Sequence, residues 1–184
     1  MRYEIETEYP APESGAGIIK VYKQTVPAMR FIGKNYGSGQ RPNWGDAFEC
    51  DVFGQIERAS GGEEKSHLLY EDADAYLGLY FRNAETGGYD GWVGMFAPPD
   101  TDVPEGLGYL DFPEQNLGVC WIYGKLDEVY QLTPQCPAEL SSAGMEIRSD
   151  EKGYIGFFER DQCPRLTTPD EKGKIILDYC YFVK

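Results

Sequence analysis

Apolar residues in this chain come in short runs broken by Gly, Pro, Asn and Asp, the pattern of strands joined by turns. Residues 17–37, "GIIKVYKQTVPAMRFIGKNYG", predict a strand bent near Pro27. Residues 75–82 ("AYLGLYFR") and 91–98 ("GWVGMFAP") predict two more, joined by the turn-rich "NAETGGYD". Between the first strand and these two, "NWGDAFECDVFGQI" places apolar residues at 44, 48, 52 and 56, a ladder suited to one buried helix face. Asn43 is placed to cap that helix and Asp46 to sit near its positive end. Residues 57–72 are polar, contain Gly61–Gly62 and His67, and predict a surface loop. Without a following Lys-Ser/Thr helix, the glycine pair is no phosphate cradle.

The second half repeats this order. A short strand is predicted at 106–112 and a longer one through 113–124. A helix should begin near Lys125 with Leu126, Val129 and Tyr130 on one side. Pro134 and Pro137 should interrupt it and leave a second short turn in "PAELSSAG". Strands at 154–160 and 174–183 complete the set. "VPAMRFIGKNYG" (26–37) and "FPEQNLGVCWIYG" (112–124) both place Pro after a bulky apolar residue, then a strand, then a Tyr-Gly opening into a helix. This predicts an α+β fold: one domain of two βαββ repeats, about 17–98 and 104–184, with pseudo-twofold symmetry. Antiparallel sheets would carry helices on one face and a ligand groove on the other.

Composition narrows the function. The 184 residues are 41% hydrophobic and 14% aromatic, enough for one well-filled core. No apolar run approaches membrane-spanning length and no leader is visible, so a cytoplasmic protein, monomeric or weakly dimeric, is expected. The five cysteines are odd in number and widely spaced without a CxxC, and there is one histidine. Reduced thiols are expected, with no metal site and no cofactor. The net charge of −14, without a basic run or a helix-turn-helix pattern, argues against nucleic-acid partners. An acidic surface either attracts cationic small molecules or serves solubility alone.

The candidate chemistry lies in "GYIGFFERDQC" (153–163). Alternation puts Glu159 on the side of Ile155 and Phe157, within an aromatic strand. It is either a rim carboxylate paired with Arg160 or Arg165, or a pocket residue. A partly desolvated carboxylate has a raised pKa and can neutralise a bound cation or act as a general base. Trp92, on the side of Phe96, and Trp121 are either core residues or stacking platforms for a flat or cationic ligand. Trp44, on the helical ladder, reads as core. Tyr123, Phe157 and Tyr179 are candidate pocket lining, with the Tyr179 hydroxyl a possible donor, but alternation cannot choose a face when both sides are aromatic.

With these residues in view, the chain resembles the GyrI-like small-molecule-binding domain, the effector domain of bacterial multidrug-responsive transcription activators. The resemblance rests on "VPEGLGYLDFPEQNLGVCWIYG", on "GMEIRSDEKGYIGFFER" with its late Glu159, and on the duplicated order, from about Ile18 to Val183. It implies a groove that binds bulky aromatic, often cationic compounds, where a glutamate on the penultimate strand meets the ligand; Glu159 matches that position. The chain looks like the stand-alone members, some similar to a gyrase-inhibiting protein and others hydrolysing cyclopropane-containing alkylating toxins. Asp161 departs from the pattern, standing where an aromatic often follows the glutamate by two. Three functions are therefore open: a small-molecule binder, a hydrolase using Glu159 as general base, and a gyrase-inhibitor-like interaction protein.

Overall fold

A computed structural model describes residues 2–62 and 69–184, so His67 lies outside the described residues. The strands are β1 (Glu6–Glu8), β2 (Gly17–Val26), β3 (Met29–Ser38), β4 (Tyr76–Arg82), β5 (Tyr89–Ala97), β6 (Gly108–Phe112), β7 (Gln115–Gly124), β8 (Ser149–Asp150), β9 (Gly153–Tyr154), β10 (Gly156–Asp161) and β11 (Ile175–Val183). The helices among the described residues are α1 (Trp44–Glu49), α2 (Val52–Ser60), α3 (Leu126–Leu132) and α4 (Cys136–Ser142), with a 3-10 turn at Thr133–Gln135 joining the last two. The fold is α+β. Nine strands form one antiparallel sheet in the order β1-β2-β7-β11-β10-β4-β5-β3-β6, and β8 and β9 make a small hairpin.

The predicted strand over 17–37 is two strands. Pro27 has no N–H to continue a ladder, and the chain breaks there. β2 then pairs with β7 and β3 with β5 and β6, in opposite halves of the sheet. The same break recurs after Phe112, at Pro113, between β6 and β7.

The predicted single helix is also two. Asn43 caps α1 as expected, its side chain accepting from the Asp46 N–H at 3.1 Å. Asp51 then adopts φ 51°, a left-handed conformation that ends one helix before the next begins. Of the apolar ladder, Val52 and Ile56 are buried while Phe48 is 59% exposed. In the second half, Val129 is buried but Leu126 and Tyr130 are exposed, contrary to the expected shared apolar side. Pro137 sits in the first turn of α4, where no backbone donor is required.

The sheet is curled. β6 is its edge strand, yet Phe112 stacks on Phe182 of β11 at 5.2 Å and meets Phe81 of β4 edge-on. The concave face thus closes over a core of the aromatic Tyr22, Phe31, Phe96, Phe158 and Phe182 with Leu79 among them. The other face carries the helices: α2 covers Ile32, Val93 and Met95, and α3 and α4 cover Val21, Cys120, Ile122 and Leu177. No helix among the described residues is long and apolar enough to cross a membrane.

Candidate functional site

Register decides which candidates meet. Glu159 pairs across β10 with Gly78 of β4 and Tyr179 of β11, and Gly78 with Val93 of β5. Directly opposed residues share a face. Glu159, Phe157 and Tyr179 therefore lie on the helix-bearing face, between the α1–α2 pair and α3. This corrects the expectation of a groove on the face away from the helices: that face is filled by the aromatic core.

Glu159 is 9% exposed, and burial raises its carboxyl above the usual range. Two neutral donors oppose that shift. The Trp44 indole N–H reaches Oε1 at 2.7 Å, and the Tyr130 hydroxyl on α3 also favours the ionised form. Phe157 stacks on Tyr80 at 5.0 Å and lies 6.1 Å from Tyr179, so aromatic rings flank the carboxyl along the floor. Trp44 stacks against Phe53 and Phe48, which also meet each other at 5.1 Å. It was expected in the core; it is only partly buried, and it is the direct hydrogen-bond partner of Glu159. Helical spacing placed Trp44 correctly on a face but could not show that this face meets a carboxylate.

Gly78 makes room for the pair. A Cβ there would stand 2.6 Å from Glu159 Oε1 and 3.0 Å from Trp44 Cζ2. Gly78→Ala should push both side chains aside and cost ~1–3 kcal/mol; urea denaturation and the near-ultraviolet signal of Trp44 would check it, and an unchanged signal would contradict this packing.

The remaining candidates lie on the opposite face. Trp92 opposes Leu79, is 8% exposed and meets Phe31 edge-on at 6.0 Å. Trp121 opposes Asp178, and its ring already faces two of the protein's own cations, Arg165 at 4.9 Å and Lys20 at 5.3 Å. Tyr123 follows on Trp121's side; its hydroxyl donates to Asp170 at 2.5 Å and Lys174 lies over its ring. None of the three stands with Glu159. Ile155 also departs from expectation: β10 begins at Gly156, and Ile155 packs into the concave core rather than beside Phe157.

The proposed pairing of Glu159 with Arg160 or Arg165 is overturned. Both arginines turn to the other face and bond Asp178, Arg160 through Nε at 2.9 Å and Arg165 through Nε at 2.7 Å. Arg160 also donates to Gln24 and Tyr22, and Asp72 closes the cluster. The basic residues nearest in sequence are thus taken up elsewhere. A depression of about 290 Å³ lined by Arg82, Asn83, Asp150 and Lys152 lies apart from this site and has no aromatic wall.

No protein-family model and no curated protein matches the sequence. Solved structures do match the fold. One is a transcription regulation protein of Staphylococcus aureus MU50, 15% identical with a TM-score of 0.57, over 91% of this chain and 99% of that one. SAV2435, solved bound to tetraphenylphosphonium, is 13% identical with a TM-score of 0.60, over 89% and 93% of the two chains. The chain also matches EcmrR in its DNA complex at 8% identity and a TM-score of 0.50, covering 89% of this chain and 57% of EcmrR. This chain has the GyrI-like fold.

Proposed function

We propose that this protein binds bulky aromatic, often cationic, small molecules over Glu159, between α1–α2 and α3. One observation carries the reading: Glu159 is a buried carboxylate whose hydrogen-bond partners are neutral donors, with aromatic rings on its flanks. Among the described residues no cation pairs with this carboxyl; a buried charge so held is costly, and a cationic ligand would supply an opposite charge while its rings pack on Phe157, Tyr80 and Tyr179. That SAV2435, on the same fold, takes tetraphenylphosphonium supports this class of ligand. The likeness of the Pro27 and Pro113 breaks, each followed by strand, helices and a strand pair, supports one domain of two repeats, about 17–98 and 104–184.

The test is titration with tetraphenylphosphonium and with neutral triphenylphosphine, followed by tryptophan fluorescence. The cation should bind and displace the Trp44 indole from Glu159, changing its emission; the neutral compound should bind more weakly. Trp44→Phe should lose the emission change and retain binding within ~10-fold, since an aromatic ring remains while the N–H and the five-membered ring of the indole are lost. Equal affinity for the two compounds would reject a cation site.

The hydrolase reading has one observation in its favour. The raised pKa of Glu159 suits a general base better than an ordinary surface carboxylate would. Incubation with a cyclopropane-bearing alkylator, with the hydrated product as readout, separates it from simple capture. The gyrase-inhibitor-like alternative gains no support from this geometry.

A further inference from the structure

Asp161 is a carboxylate that the proposed function leaves unused. It follows Glu159 by two residues on β10, so both side chains leave the strand on the same face, from backbone positions roughly 7 Å apart. Its Oδ1 is enclosed and meets no hydrogen-bond partner among the described residues. Buried oxygens rarely stay that way.

Among the described residues, the groups around it supply no cation. Tyr76 stands opposite on β4, its hydroxyl donating to Glu57 of α2. Tyr130 reaches over from α3, close enough to sense both carboxyls. Gln162 turns its amide to Asp74. Asp178 lies behind on β11, its charge held by Arg160 and Arg165 on the far face.

We infer that Asp161 is a second anionic point of the groove, and that the site favours ligands carrying two positive charges on a rigid aromatic spacer. This rests on the reading of the groove as a cation site and names a narrower ligand class within it. Burial, then the neighbouring Glu159 and Asp178, push the Asp161 carboxyl up to about 8. In the unliganded protein at neutral pH, Asp161 therefore holds its proton. A monocation compensates Glu159 alone. A dication stabilises both ionised carboxylates and drives the Asp161 proton into solvent. The sign follows: affinity for the dication should rise with pH up to about 8, then level off.

The experiment is isothermal titration of the wild-type protein and Asp161→Asn with benzyltrimethylammonium and para-xylylene-bis(trimethylammonium), in two buffers of different ionisation enthalpy. The wild type should bind the dication at least ~10-fold more tightly than the monocation and release a proton in doing so. Asp161→Asn should erase both the advantage and the proton release. A thermal melt of Asp161→Asn verifies that it folds, as it should, because the wild-type residue is already uncharged there. A dication no tighter than the monocation, or an advantage that persists in Asp161→Asn, overturns the role of Asp161. If neither cation binds the wild type, the cation-site reading itself fails, and this inference with it.

Discussion

Asp178→Ala should lower stability by ~3–5 kcal/mol, the cost of stranding a buried arginine. Arg160 is fully buried, and Asp178 accepts from its Nε at 2.9 Å and Nη2 at 2.8 Å. Without Asp178 the guanidinium keeps Gln24 and Tyr22, both neutral, and a longer approach to Asp72 at 3.4 Å. Asp178→Asn, which preserves shape and one acceptor, should cost less than Asp178→Ala. Replacing both partners with apolar residues of similar volume should recover much of the loss, since a buried ion pair is weak evidence of net stability. Urea denaturation reads this as a shift in midpoint at constant slope. A loss under ~1 kcal/mol for Asp178→Ala would mean that Arg160 finds other compensation.

That ion cluster bears on function through β10. Arg160 ties one face of the strand to β2 and β11, and the adjacent Glu159 is thereby held toward the other face. The same pairing withdraws the arginines that would otherwise neutralise Glu159. Stability on the concave side, and on the helical side a carboxylate with no charge partner among the described residues, are two consequences of one alternation.

Most strands were legible in the sequence because alternation and turn residues are local signals. Their partners were not. Pro27 marked a bend within one predicted strand, but nothing local could say that the chain would break there and that β2 and β3 would join opposite halves of the sheet. The left-handed Asp51 likewise escaped a periodicity argument, because a ladder at 44, 48, 52 and 56 continues in register across it. Glu159 stood out as a carboxylate inside an aromatic strand. Phe157 and Tyr179 were placed with it, whereas Trp92, Trp121 and Tyr123 lie across the sheet, since choosing a face requires knowing which side the helices cover. Arg160 looked like a partner for Glu159 by proximity in sequence; neighbours in a strand point apart.

Glu159→Gln should separate binding from stability by moving them in opposite directions. The amide keeps the volume and can still accept from Trp44, but the charge is gone. Affinity for tetraphenylphosphonium should fall by at least ~2 kcal/mol, about 30-fold, as for removal of one member of a desolvated charge pair. Stability should not fall with it. The folded-state pKa of Glu159 lies above its ordinary value, so the native state holds this proton more tightly than the unfolded chain does. Its contribution is therefore favourable at low pH and is lost as pH rises from the ordinary carboxylate range through the folded pKa. Glu159→Gln should remove that part of the pH dependence and leave the protein at least as stable as the wild type near neutrality. Calorimetric titration with the phosphonium and denaturation across the acid-to-neutral range read the two effects independently. If Glu159→Gln keeps its affinity for the cation, the carboxylate is not the recognition element. If it is instead markedly less stable at neutral pH, the carboxylate is held by a compensating charge and is not waiting for one from a ligand.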